Sequence, residues 1–253
     1  MSNVTWVEAN DKRVFKASTI AQKTFRFFWR ELAWDRRRIV PAYDLTAVKF
    51  ALIAPAKKGG GHAVEFLWAD DVRFDGGNLV EGTLLNTAVN LKGFRKGQRV
   101  SLEFDRVADW LLARDGKPEG GFTVRVIRAH LSAAERRAHD AAWGLAFGPP
   151  GKKLDPRRYA CAKLHPLDAA AAKLIDTEGR AGTLKPNQRG KDGWTQLHHY
   201  ALAGAKACVQ ALLRHGADPL LETPGGLRPA DLSGALNWKD VSRVLYRAES
   251  RVD

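Results

Sequence analysis

An internal repeat in the last quarter of the chain most constrains the fold. Gly193 recurs as Gly226 and Leu212 recurs as Leu245, so the two pairs have the same spacing. Such a repeat is one supersecondary unit, which buries its apolar face only by stacking on a neighbour. Two copies are fewer than the roughly three that a self-standing stack needs. We therefore expect another part of the chain to support them.

Each copy has the pattern of two short helices. In the first copy, Thr195 is a good N-cap, since its hydroxyl can accept a bond from an amide of the first turn. Gly204 and Gly216 stand where the two helices should end, because glycine adopts the left-handed conformation readily. The apolar stripes expected on these helices are formed by Leu197 and Ala201, then Val209, Leu212 and Leu213.

These residues resemble ankyrin repeats: Asp192-Gly193-Trp194-Thr195, Leu197-His198 and Gly216-Ala217-Asp218 follow the family pattern in order, and the spacing of the copies is the family's. The resemblance implies a small all-α module in residues 191–253. It also makes His198 a structural histidine that hydrogen-bonds the neighbouring loop, rather than a metal ligand. In the first copy Gln196 replaces the family's proline, and in the second Asp231 replaces the histidine.

Ankyrin repeats bind other proteins through their turn tips and first helices, which implies a partner-binding surface here. Exposed aromatic side chains on it would be suitable anchors. The residues that we expect on this surface are Trp194, His199, Tyr200, Leu202, Ala203, Leu221, Glu222 and Thr223.

A basic segment rich in proline and glycine separates this module from the rest of the chain. Residues 147–158 contain three prolines and two glycines, and proline ends helices and central strands. We place a domain boundary near Pro149-Pro150, with an N-terminal domain in 1–146. Residues 147–190 then form a linker that contains either a degenerate ankyrin repeat or a helical cap.

The N-terminal domain is predicted to have an α+β fold. Apolar residues recur at spacings of three and four in residues 11–38, which indicates a long amphipathic helix ending in Arg36-Arg37-Arg38. Ser132, with Glu135 three residues later, predicts a capped helix over 132–143. Between them we expect a mostly antiparallel sheet of about five strands, in segments 45–55, 62–75, 77–87, 98–107 and 120–131.

This part of the chain, over about residues 12–130, resembles the bacterial family of unknown function typified by the small protein YegJ. The resemblance implies a fold but no activity. The residues that carry it are Val48-Lys49, Glu65, Trp68, Gly82-Thr83-Leu84-Leu85-Asn86, Gly97, Val100, Asp109-Trp110 and Gly120-Gly121.

Four of the N-terminal residues, Glu65, Trp68, Asp109 and Trp110, are candidates for a shared polar and aromatic site. A carboxylate pair with a shifted pKa in a cleft would favour an enzyme. Packing of both tryptophans in the sheet core is the simpler interpretation. The sequence shows no nucleophile elbow, phosphate loop or metal-ligand spacing, so we expect no cofactor and no metal.

The net charge of +13 suggests nucleic acid as an alternative partner. The excess lies in two segments, 11–38 and 152–191, each with a net charge of +6, whereas 192–253 is neutral. A phosphate backbone would therefore bind outside the repeats. The candidate phosphate contacts are Arg36, Arg37, Arg38, Lys152, Lys153, Arg157 and Arg158.

The favoured hypothesis is a cytoplasmic bacterial interaction protein that is not an enzyme, with an immunity or antitoxin-like role. Nucleic-acid binding and an N-terminal enzyme of unknown chemistry are the alternatives. We expect a reduced protein, because Cys161 and Cys208 are too few for a disulfide framework. We expect no membrane partner, because no apolar run approaches the roughly 20 residues that cross a bilayer.

Overall fold

A computed structural model describes residues 11–58, 62–151, 154–161 and 163–251 of the chain. The chain divides into two compact units. The first contains Met1–Phe28 and Asp35–Tyr159, and the second contains Trp29–Trp34 and Ala160–Asp253.

The first unit is built on one six-stranded sheet in which every neighbouring pair of strands is antiparallel. The strand order is β4-β3-β2-β1-β5-β6, so β1 lies in the interior of the sheet. The strands are β1 (Leu45–Pro55), β2 (His62–Phe74), β3 (Leu79–Leu84), β4 (Arg99–Glu103), β5 (Val107–Arg114) and β6 (Lys117–Gly120).

One face of the sheet packs against the long helix α1 (Lys12–Asp35). The indole Nε1 of Trp110 donates to the Ala21 carbonyl at 3.1 Å and lies 3.0 Å from the Thr24 hydroxyl. The predicted long helix is confirmed, but it ends before the three arginines. Its last turn contains no basic residue, so the triplet Arg36–Arg38 follows the helix end and lies in the turn beyond it.

The opposite face is covered by two helices and the segment that follows them. These are α2 (Phe122–Ala129) and α3 (Ala133–Trp143). The prediction for α3 is confirmed, since Ser132 and Glu135 form both bonds of a capping box. The core on this face consists of Ala47, Trp68, Leu111, Ala113, Val124, Leu145 and Phe147.

The expected strand over 120–131 is wrong, because the chain forms α2 there. Gly120 and Gly121 have φ of 74° and 65°, a left-handed backbone that turns the chain sharply. The strands that complete the sheet instead come from residues 107–120, which the sequence prediction missed. There β5 is buried on both faces, and its nearly continuous apolar run lacks the alternation of a half-buried strand.

The second unit consists of short helices that pack in pairs. They are α4 (Pro166–Arg180), α5 (Gln196–Leu202), α6 (Lys206–Arg214), α7 (Pro229–Ala235) and α8 (Lys239–Glu249). Helix α5 packs against α6 and α7, α6 against α4 and α8, and α7 against α8. The spacing from Gly193 to Gly226 is the repeat period. Both ends of α7 lie one such period after the corresponding ends of α5, and the start of α8 lies one period after the start of α6.

The observed caps of helices α5 and α6 are the ones that we expected from the sequence. Thr195 is the N-cap of α5, and its hydroxyl accepts from the His198 amide. Gly204 and Gly216 follow α5 and α6 with φ of 69° and 83°. We expected a degenerate repeat in residues 155–190 or a helical cap in 155–176. This part of the chain forms a short 3-10 helix at Pro156–Tyr159 and helix α4, whose start is capped by His165.

We expect Gly120→Ala to destabilise the first unit far more than Gly144→Ala. A Cβ at Gly120 would lie 2.3 Å from the Trp110 carbonyl oxygen, whereas nothing lies within 4 Å of one at Gly144. Both positions have a positive φ, so the Gly144 variant should show only the conformational cost of about 1–2 kcal/mol. Overpacking should raise the cost at Gly120 by about 1–3 kcal/mol more. Denaturant unfolding monitored by tryptophan fluorescence measures both, and equal losses would contradict this assignment.

Candidate functional site

The four residues of the expected polar and aromatic site lie on opposite faces of the sheet. Asp109 and Trp68 pair with Lys49 from the two strands that flank β1, so these three side chains share one face. Glu65 pairs with Leu52 and Trp110 with Val48, which places them on the α1 face. The two carboxylates therefore do not form one site.

A buried polar cluster forms where β1, β5 and α2 meet. Asp109 is fully buried and accepts hydrogen bonds from the amides of Trp110, Phe122 and Thr123 at 2.9, 3.0 and 2.7 Å. The Thr123 hydroxyl donates to Asp109 Oδ2 at 2.6 Å and accepts from Lys49 Nζ at 3.0 Å. The hydroxyl thus bridges an ammonium and a carboxylate. Lys49 Nζ also lies 5.2 Å from the centre of the Trp68 ring.

Burial shifts both charged groups of this cluster. It raises the pKa of Asp109, while the nearby Lys49 and the bonds from Thr123 and Trp110 act in the opposite direction. Burial also lowers the pKa of Lys49, against the attraction of Asp109. Thr123 belongs to α2 and hydrogen-bonds both charged side chains. The cluster therefore joins α2 to the interior strands of the sheet. The sequence prediction missed Lys49 as a member, although a lone lysine within the apolar strand TAVKFALI was a signal.

Glu65 holds a loop. Its carboxylate accepts from the amides of Val89, Asn90 and Leu91 at 2.8, 2.8 and 3.3 Å. Three backbone donors satisfy this buried carboxylate, which fixes the segment after β3 against β2. A general acid or base needs reach to a substrate proton, and here both oxygens are already occupied.

The eight residues expected on the partner surface differ in exposure. Tyr200, Leu202, Ala203 and Thr223 are buried, so their side chains do not face a partner. Tyr200 lies against Trp34 with ring centroids 5.9 Å apart. The four that reach solvent are Trp194, His199, Leu221 and Glu222.

The turns before α5 and α7 are connected by hydrogen bonds. His198 Nε2 donates to the Leu221 carbonyl at 2.8 Å, which confirms its structural role. Arg189 donates to the Glu222 carbonyl at 2.8 Å. Trp194 is held beside His199, with ring centroids 5.2 Å apart, and His199 Nε2 lies 3.2 Å from Asp192. The exposed side chains of this surface therefore project from a well-defined backbone.

Burial lowers the pKa of His198, although its bond to the Leu221 carbonyl favours the charged form. The Thr195 amide donates to His198 Nδ1 at 3.0 Å. One ring nitrogen thus accepts and the other donates, which is the pattern of a neutral imidazole.

Several of the candidate phosphate contacts already have partners within the protein. Arg36 donates to the Val72 carbonyl, and Arg38 Nε lies 3.7 Å from Asp35. Arg157 forms an ion pair with Asp155 at 2.8 Å. Arg37 and Arg158 are exposed, and Lys152 and Lys153 lie outside the described residues.

Within the described ranges, no group of three or more His, Cys, Asp or Glu side chains could hold a metal ion. No helix there is both long and apolar enough to cross a membrane.

The chain is similar to a known family and to a known protein. Residues 11–147 match the family DUF2314, described as an uncharacterized protein conserved in bacteria. A protein of Neisseria meningitidis serogroup B, named as a putative ankyrin repeat protein, is 34% identical over 248 residues, which covers 96% of this chain and 97% of that protein. The expected unknown-function domain is thereby supported, and the link to YegJ stays a prediction.

We expect the losses of stability from two single substitutions in the buried cluster to add up to more than the loss from the double substitution. Asp109→Ala leaves a buried ammonium without its counter-charge and removes the acceptor at the start of α2, so it should cost about 3–5 kcal/mol. Lys49→Met combined with Asp109→Asn should cost less than the sum of the two single substitutions. Arg99→Gln, at an exposed pair with Glu81, is the control and should cost under about 1 kcal/mol. Additive losses in denaturant unfolding would show that the pair is not coupled.

We expect the second unit to lose stability as the pH falls below 6.5, the ordinary pKa of histidine. Because the folded pKa of His198 is lowered, the unfolded chain binds a proton first, and protonation opposes folding by up to about 1.4 kcal/mol per pH unit in that window. Denaturant unfolding at a series of pH values measures this. His198→Gln should remove this part of the pH dependence, whereas His199→Gln should keep it. An unchanged slope in His198→Gln would contradict the assignment.

Proposed function

The chain belongs to the DUF2314 family, and on that premise we propose that it is a non-enzymatic interaction protein whose second unit is an ankyrin-repeat module. The observation that carries the proposal is the agreement between the repeat period in the sequence and the bounds of the helices. The name of the Neisseria meningitidis relative agrees with it. Ankyrin repeats bind proteins, and this function needs no cofactor.

The partner surface that we propose consists of Trp194, His199, Leu221 and Glu222. Trp194 is the anchor, because a partly exposed tryptophan on a fixed turn contributes large contact area with little loss of side-chain entropy. Bonds from His198 and Arg189 to the next turn hold the backbone in place before the partner arrives. Glu222 is the one formally charged side chain among these four, so we expect the affinity of the surface to depend on shape more than on salt.

The end of helix α1 supports the repeats in this proposal. Two repeats expose apolar surface at their outer ends unless something covers it. In the second unit, Trp34 of α1 packs against Tyr200 of α5 and stacks on His165, with ring planes at 7°.

We expect Trp194→Ala to reduce capture of the partner about tenfold or more, as for a central aromatic anchor. The whole chain described here serves as bait in lysate of the source bacterium, and captured proteins are quantified by mass spectrometry. Tyr246→Ala removes a similarly large side chain from α8, where 56% of Tyr246 is exposed, and should leave capture unchanged. Circular dichroism confirms that both variants fold. A partner retained equally by all three proteins would contradict the proposed surface.

A further inference from the structure

Two adjacent apolar side chains stand fully in solvent in the turn after α1. Ile39 is 102% exposed and Val40 is 75% exposed. Single exposed apolar residues are ordinary on protein surfaces, but neighbouring β-branched residues at a loop tip form a projecting apolar point. We call Ile39 and Val40 the apolar tip.

The apolar tip is held in place from both sides. The Ala42 amide donates to Asp35 Oδ1 at 2.6 Å, and the Arg38 amide donates to the Asp35 carbonyl at 3.0 Å. Arg114 Nε donates to the Ala42 carbonyl at 3.0 Å. Ile39 and Val40 are thus presented on a turn with fixed ends.

Cationic side chains lie near the tip, some directly before it in the sequence and one from another part of the chain. Three arginines, at positions 36–38, precede it, and no acidic residue occurs between Asp35, which is buried, and Asp44. On the far side, the Arg114 guanidinium lies 4.7 Å from the centre of the Tyr43 ring. Asp44 is exposed and accepts from the Asp115 amide at 2.7 Å.

Charged side chains of β2 and β4 also act on Arg36. Burial lowers the pKa of Arg36, and Arg73 and Arg99 act in the same direction, whereas Asp71 opposes them. Arg99 forms ion pairs with Asp71 and Glu81, so the excess of positive charge here comes from Arg36, Arg37 and Arg38 themselves. The surroundings of the tip favour an anionic contact.

We propose that the apolar tip is a contact site for an anionic bilayer surface, in which Ile39 and Val40 enter the interface and the positive charge of Arg36, Arg37 and Arg38 attracts the lipid phosphates. At a membrane interface, apolar side chains enter the acyl boundary, while aromatic and cationic side chains lie at the headgroups. Ile39 and Val40, with Tyr43 and the arginines nearby, match this arrangement. A protein partner would need a broader complementary patch. We expected no membrane partner because the sequence has no spanning segment, and this contact needs none.

Binding of this kind is weak and reversible, because it combines a small apolar insertion with a few charges. Attraction between arginine and anionic lipid is screened by salt within about a Debye length. Removing an arginine at the surface should weaken binding about fivefold. Because a chain of net charge +13 is attracted to any anionic surface, a variant that preserves every charge provides the decisive test.

The test is co-sedimentation of the full chain with vesicles of phosphatidylcholine alone or mixed with phosphatidylserine, at low and high salt. We expect binding to the mixed vesicles that decreases with salt and is absent on phosphatidylcholine alone. The double substitution Ile39→Ser with Val40→Ser should weaken it about tenfold or more. Phe15→Ser, which removes another apolar side chain that is 77% exposed, should bind like the original chain.

Three results would overturn the proposal: no binding to mixed vesicles, equal binding to both kinds of vesicle, or full binding by the double variant. Loss of a captured protein by that variant, with vesicle binding unchanged, would assign the tip to a protein partner instead. Trp194→Ala should bind vesicles normally, so failure here and failure of the repeat surface can be told apart.

Discussion

The buried carboxylate of Asp109 determines how the first unit is assembled. It lies on an interior strand and accepts bonds from the first amides of α2, so one side chain fixes where β5 lies and where the helix begins. The cost of burying this charge is offset by Lys49 from the neighbouring strand and by the Thr123 hydroxyl. The core beneath α2, formed by residues such as Val124 and Leu111, can close only once that helix is placed.

The same interaction explains what the sequence could and could not predict. Strand β1 and helix α3 were predicted because their signals are local: apolar runs, glycine-rich turns and a capping box. Helix α2 was mistaken for a strand because its start depends on a carboxylate 13 residues earlier. Neither the alternation of residues 120–131 nor the pair Gly120-Gly121 reveals that a distant side chain will satisfy the first amides of a helix.

The partner surface shows a similar limit. The repeat period identified the turns, the caps and the structural His198, because these are fixed within one repeat or between neighbours. It could not show that Tyr200 is covered, since Trp34 comes from a far earlier part of the chain. Exposure is a property of packing between distant segments, so half of the expected surface was buried. Trp194 is partly exposed, because its position is determined by the turn before α5 and not by packing between distant segments.

The distribution of charge separates the two kinds of contact that we propose. Residues 192–253 have no net charge, so in our proposal recognition by the repeats depends on the fit of Trp194 and its fixed turn. The arginines after α1 follow the last helical turn, where they border the apolar tip. Long-range attraction increases the rate of encounter, while close fit gives specificity. A chain that separates these properties can respond to salt in one contact and remain insensitive to it in the other.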